Sequence, residues 1–282
     1  MKYESLWRRL TGIYDADEAK AIVRLVLDVR FGLSLTDIVC GKTELLSETD
    51  QKVLEDLMQR LEKGEPVQYV LGKAEFCGRT FHVEPGVLIP RPETAELVQW
   101  ISQEDSSFGT SVLDIGTGSG CIAITLALEI PEAKVTAWDI SEEALAIAQQ
   151  NAITLDADVV FEQRDILNLK DQNTSHTSDS WDIIVSNPPY ICDQEKAAME
   201  RHVLEHEPHL ALFVPDDDPL RFYRAIAHYA KKALTPNGML YFELNPLYAH
   251  ETEVMVQDLG FTETEIKQDM FGKQRFLKTK RI

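Results

Sequence analysis

From Ser5 to about Lys63 the apolar residues recur three and four positions apart. Leu6, Leu10 and Ile13, then Ile22, Val23, Val26 and Leu27, then Val53, Leu54, Leu57, Met58 and Leu61 each fall on one face, a spacing that predicts several short amphipathic helices. Ser47 opens the last of them, with Asp50 three residues on in a cap-like arrangement. Residues 1–74 are therefore expected to form a small helical domain. They carry no charge cluster or catalytic constellation, so a scaffold and a substrate grip are equal readings of this segment.

The pattern changes between Glu75 and Arg91. Two short β-type runs, Phe76 to Cys77 and Arg79 to Val83, are broken by Gly78, Pro85 and Gly86, which predicts a β-hairpin linker over residues 75–92. Pro90 and Pro92 bracket Arg91 and stiffen the backbone before a helix starting near Glu93.

From Ser111 onward, apolar runs alternate with helical patterns. Val112 to Ile115 precedes a helix reaching Ile130, Val135 to Trp138 precedes a helix from Glu142 to about Thr154, and Val159 to Phe161 follows. A polar stretch, Asp171 to Ser180, is expected to be a surface loop. Runs at Asp182 to Val185 and Met239 to Leu244 come next, and Phe276 with Leu277 is expected to supply a late edge strand. Such alternation predicts an α/β domain over residues 93–282, a mostly parallel sheet with helices on both faces.

Composition narrows the function. The 282 residues are 44% apolar, enough for one large core and a smaller one. The first residues mix Lys2, Glu4, Arg8 and Arg9 with apolar ones and hold no run of signal-peptide or membrane length, so a cytoplasmic, membrane-free protein is expected. A formal charge of −19 argues against holding duplex DNA through many phosphate contacts and favours a protein partner. Cys40, Cys77, Cys121 and Cys192 lie far apart, without the close pairs that mark zinc or redox sites. Reduced thiols and no metal are expected, with Cys192 near the proposed site.

Ligands of an open α/β sheet sit beyond the carboxyl ends of its strands, and four such places carry chemistry. Gly116-Thr117-Gly118-Ser119-Gly120, after Asp114 and Ile115, is a turn whose glycines let the backbone approach a ligand. Its G-x-G-x-G spacing departs from the G-x-G-x-x-G of dinucleotide sites. Asp139, directly after Val135 to Trp138, is placed to accept from both ribose hydroxyls of a nucleoside, or else to cap the next helix. Asp165 can accept from the exocyclic amine of adenine, with Ile166 as an apolar wall.

The fourth place is Asn187-Pro188-Pro189-Tyr190, closely after Asp182 to Val185. The prolines lack amide donors and hold an extended path that leaves carbonyls free. The Asn187 side-chain oxygen can accept one hydrogen of an incoming NH2 group and the Pro188 carbonyl the other, while Tyr190 stacks on the planar group. An amide nitrogen is a poor nucleophile, and accepting both its hydrogens aims the lone pair at a methyl donor. Transfer from a sulfonium then needs in-line positioning more than a strong base.

These residues resemble the seven-stranded Rossmann-like methyltransferases that act on exocyclic or amide nitrogens. Leu88-Ile89-Pro90-Arg91-Pro92-Glu93-Thr94 narrows the resemblance to the HemK/PrmC family of release factor glutamine methyltransferases, and Glu205-His206-Glu207-Pro208 is similar to that family's Glu-Pro segment. The resemblance implies an S-adenosylmethionine-binding domain over residues 93–282, yielding S-adenosylhomocysteine. Gly116 to Gly120 and Asp139 would hold the donor, Ile166 would line adenine, and Asn187 would face both the methyl group and the acceptor. It further implies that a glutamine in the Gly-Gly-Gln loop of class I peptide-chain release factors enters between the two domains.

Two other readings share these features. A DNA or RNA adenine-N6 methyltransferase would use the same motif on another planar NH2 group, but needs phosphate-contacting surface that no run of Lys or Arg supplies. A non-catalytic adaptor would bind the nucleoside only.

Overall fold

The computed structural model describes residues 1–104, 107, 109–169 and 180–282. The expected surface loop at Asp171 to Ser180 lies, apart from Ser180, outside them. The chain divides into two compact units: residues 1–73 with 200–206, and residues 74–199 with 207–282.

The first unit is helical. It contains α1 (Tyr3–Arg9), α2 (Ala16–Phe31), α3 (Leu35–Val39), α4 (Glu48–Leu61) and α5 (Val67–Leu71). Leu6, Leu10, Val23, Val26, Leu27, Leu54, Met58 and Leu61 form one buried cluster, the helical-period residues of the sequence. Ser47 caps α4 by accepting the Asp50 N–H at 3.1 Å. Arg9 joins α1 to α4 by donating to Glu55 at 2.8 Å and Glu62 at 2.6 Å.

A hairpin of β1 (Lys73–Phe76) and β2 (Arg79–His82), all but Lys73 in the second unit, is followed by α6 (Pro92–Glu104), with Pro92 as its first residue. The sheet and its crossovers follow: β3 (Ser111–Ile115), α7 (Cys121–Glu129), β4 (Lys134–Asp139), α8 (Glu142–Leu155), β5 (Val159–Gln163) and β6 (Trp181–Ser186). After β6 come the two-residue β7 (Ile191–Cys192), α9 (Arg201–His206, in the first unit), α10 (His209–Leu212) and β8 (Phe213–Val214), which pairs with β7. Then α11 (Arg221–Ala233), β9 (Leu234–Glu243), α12 (Ala249–Asp258), β10 (Thr262–Gln268) and β11 (Gln274–Lys280) end the chain.

The seven strands stand in the order β10-β11-β9-β6-β3-β4-β5, and β11 runs antiparallel to both its neighbours while the pairs from β9 to β5 are parallel. Both faces are covered. Val112, Ile183, Val185 and Tyr241 pack with Leu97, Ile101, Ile122 and Leu126 on one side. Leu113, Ile184, Leu240 and Phe242 pack with Tyr223, Ile226 and Val256 on the other. Alternate residues of one strand thus serve opposite faces, which is why these strands read as unbroken apolar runs.

The strand at Phe276 and Leu277 is a correction. It is not an edge: β11 lies between β9 and β10, and β10 forms the edge. Phe276 and Leu277 are buried because β11 has neighbours on both sides. Among the described residues no helix is long and apolar enough to cross a membrane.

Candidate active site

The chain reverses direction across the sheet between β3 and β6, which are paired side by side. That switch point splays the following loops apart and leaves a crevice at the strand ends. A cavity of about 440 Å³ opens there. Gly116 and Gly118 line it after β3, Asp139 at the end of β4, Asp165 and Ile166 after β5, and Asn187, Pro188 and Pro189 after β6. Leu88, Pro208 and Phe222 are among the apolar residues of the lining.

Gly116 and Gly118 have φ of 77° and 55°, and a Cβ on either would meet no atom within 4 Å. Side chains there would project into free space at the cavity wall, so the bare backbone keeps a cradle open for a ligand. The other members of the turn face the protein body. Thr117 donates to Asp114 Oδ2 at 2.6 Å, and the Ser119 carbonyl accepts from Asn151 Nδ2 at 2.9 Å. A Cβ on Gly120 would lie 2.8 Å from Ile124 Cδ1 and 3.1 Å from Ala148 Cβ, so this glycine lets α7 approach α8.

Asp139 accepts the Gly118 N–H and the Ser141 N–H, each at 2.9 Å. The cap of α8 is Ser141 itself, accepting from Ala144. Burial raises the Asp139 carboxyl above its usual range, against the pull of these backbone donors. Asp165 accepts from the Leu167 N–H at 2.8 Å and Asn168 Nδ2 at 2.5 Å, which fixes its carboxylate at the rim. Ile166 is partly buried against the second core cluster.

Asn187 is held from behind. Its Nδ2 donates to Thr94 Oγ1 at 3.2 Å, and Thr94 donates to Glu243 Oε2 at 2.7 Å. Tyr190 does not line the cavity; its hydroxyl donates to Glu243 Oε1 at 3.0 Å and its ring packs against the second core cluster. Burial pushes the Glu243 carboxyl up, and Tyr190 is raised well above its usual value by burial and the Glu243 charge. Cys192 is buried, its thiol 3.6 Å from the Tyr248 hydroxyl and raised by burial.

Four residues given no chemical role from sequence buttress this site: Arg91, Thr94, Glu207 and Glu243. Arg91 and the fully buried Glu207 carboxylate form an ion pair, and Glu207 also accepts the Ile89 N–H at 3.2 Å. The signal for three of them was their place in the segments Leu88 to Thr94 and Glu205 to Pro208. Glu243 had only its position at the end of a strand. Among the described residues no group of three or more His, Cys, Asp or Glu side chains is arranged to hold a metal ion.

A seven-stranded sheet of this order, with a glycine cradle and a strand-end carboxylate at its switch point, defines an S-adenosylmethionine-dependent methyltransferase. Residues 106–272 match the Methyltransferase domain family and residues 8–72 the PrmC N-terminal domain. The release factor glutamine methyltransferase of Bacteroides thetaiotaomicron is 50% identical over 273 residues, covering 96% of each chain. That of Flavobacterium psychrophilum is 41% identical over 273 residues, covering 95% of this chain and 94% of its own. The chain belongs to the release factor glutamine methyltransferase family. The fold is shared more widely: a methyltransferase from Pyrococcus furiosus is 18% identical with a TM-score of 0.51, covering 71% of this chain and 88% of that one.

Proposed function

We propose that the protein methylates the side-chain amide nitrogen of the glutamine in the Gly-Gly-Gln loop of class I peptide-chain release factors. The observation that carries this reading is one cavity shared by the glycine cradle and the Asn187-Pro188-Pro189 turn, in a chain of this family. Relatives at 50% and 41% identity support the glutamine acceptor and not adenine.

A cavity of this size suits a ligand of nucleoside dimensions, and its residues match the donor's parts. The Gly116 and Gly118 backbone would take the donor's methionine portion. Asp139 would exchange its Gly118 and Ser141 contacts for ribose hydroxyls, and Asp165 with Ile166 would flank adenine. Thr117, Ser119 and Gly120 shape the turn from behind. When bound, S-adenosylmethionine supplies an activated methyl group and leaves as S-adenosylhomocysteine.

Asn187 Oδ1 and the Pro188 carbonyl accept the two hydrogens of the glutamine amide. Pro189 holds the second acceptor in place, because its ring fixes the backbone that carries it. The nitrogen lone pair is thereby aimed rather than made more basic, and effective positioning of this kind is worth roughly 7–11 kcal/mol of barrier at best. Tyr190 is assigned to bracing the turn, since its hydroxyl is committed to Glu243. The helical unit, residues 8–72 of which match the PrmC N-terminal domain, is assigned to recognising the protein substrate.

Purified protein with labelled methyl donor, offered a release factor and duplex DNA, tests the reading. Label should appear on the factor, and mass spectrometry should place one added methyl group on its Gly-Gly-Gln glutamine. Label on DNA with the factor inert would overturn the proposal. Asn187→Ala should lose transfer while still binding donor; unchanged turnover would remove Asn187 from the mechanism.

A further inference from the structure

The hydrogen bonds behind Asn187 have a direction that donor and acceptor counts dictate. Arg275 Nη1 lies 3.4 Å from the Tyr190 oxygen, and a guanidinium has only donors to offer. Tyr190 therefore accepts from Arg275 and sends its single proton to Glu243. Against the effect of burial, the Thr94 and Tyr190 hydroxyls and the Arg275 charge pull the Glu243 carboxyl toward its ionised form; taken as ionised, it has only acceptors, and the one hydroxyl proton of Thr94 also goes to it. The Thr94 oxygen is left to accept, and Asn187 must meet it with an N–H. Thr94 and Glu243 are 3% and 2% exposed, so water does not compete readily for these bonds.

We infer that Thr94 and Glu243 are positioning residues that set the orientation of the Asn187 side-chain amide, so that its oxygen, not its NH2 group, is presented to the acceptor. The inference rests on the reading that Asn187 Oδ1 accepts a hydrogen from the substrate amide. An inverted Asn187 would set its own NH2 group against the substrate's, donor against donor, and the nitrogen lone pair would lose its aim. The Glu243 charge acts over two hydrogen bonds: a neutral side chain at 243 can donate to Thr94, which frees Thr94 to donate to Asn187 Oδ1 and stabilises the inverted amide. Selection of a substrate that brings two hydrogens is in this sense built into the carboxylate at the end of β9.

Thr94→Val keeps the shape and removes both hydrogen-bonding functions, whereas Thr94→Ser keeps them. For Thr94→Val, kcat with a release factor substrate should fall roughly 10- to 100-fold, while donor affinity by calorimetry stays within about twofold. Thr94→Ser should restore most of the rate, and Glu243→Gln should behave like Thr94→Val. A second readout needs neither donor nor substrate. The Asn187 side-chain NH2 signals of 15N-labelled protein, assigned by their absence in Asn187→Ala, should exchange slowly in the wild type and Thr94→Ser and rapidly in Thr94→Val. Should Thr94→Val fail to fold, the kinetics and exchange of Glu243→Gln decide the matter. Wild-type kcat in both Thr94→Val and Glu243→Gln, with Asn187→Ala inactive, would overturn the inference and leave the proposed function standing. A fully active Asn187→Ala would instead remove the reading beneath it.

Discussion

The Glu207 carboxylate, wholly buried, is paired with the guanidinium of Arg91, a residue 116 positions earlier. The pair fastens the segment entering α6 to Pro208, which lines the cavity. A buried carboxylate stripped of its partner keeps its desolvation penalty and loses the compensating charge, a loss typically of about 3–5 kcal/mol. Arg91→Ala should therefore destabilise the protein by several kcal/mol in urea unfolding. Glu207→Gln should cost less, because a neutral amide can still accept the Ile89 N–H. If the two variants cost the same, the buried charge is not the source of the effect.

Gly118 and Gly120 should respond differently to alanine although both have positive φ. At Gly118 the new methyl group meets open space in the cavity, so Gly118→Ala should lose donor affinity, with a stability cost of about 1–2 kcal/mol from backbone strain. At Gly120 the methyl group would sit 2.8 Å from Ile124 Cδ1 and 3.1 Å from Ala148 Cβ. Overpacking adds to the same strain, typically another 1–3 kcal/mol. Gly120→Ala should show the larger stability loss in denaturant melts and Gly118→Ala the larger affinity loss by calorimetry. The reverse ranking would contradict the placement of the turn.

Much of this was readable in advance because strands buried on both faces must be apolar throughout. The runs at β3, β4, β6 and the end of β9 stand out for that reason, and so do the site residues at or just beyond their ends: Gly116, Gly118, Asp139 and Asn187. The edge strand β10, Thr-Glu-Thr-Glu-Ile-Lys-Gln, was invisible since, among the described residues, no strand pairs with its outer side and none of its residues is fully buried. Without β10, the Phe276 and Leu277 strand looked like the edge. The segments holding Thr94, Arg91 and Glu207 stood out, but the partners of these residues and of Glu243 were illegible for another reason. Their chemistry lies in pairings across 93 to 149 positions, and no local pattern announces which distant carboxylate a threonine or arginine will meet.

Asp114 allows a test by pH. Its side chain is completely buried at the end of β3, with Oδ2 accepting from Thr117 and the Ala123 N–H also favouring the charged form. Burial raises its carboxyl from 3.8 to about 7, and the nearby Asp139 charge adds to the rise. The folded state thus holds a proton that the unfolded chain releases. Its contribution to stability is complete below about pH 4, is lost as pH climbs through about 7, and is level above that. Asp114→Asn cannot ionise and keeps an oxygen for Thr117. Relative to wild type, the variant should gain stability between pH 5 and 8.5, by about 2–4 kcal/mol at most at the alkaline end. Urea unfolding of both proteins across that range measures the difference, in which the titration of other groups largely cancels. A difference that does not change with pH would show that the Asp114 proton is released at an ordinary pH and that the site is more polar than its burial implies.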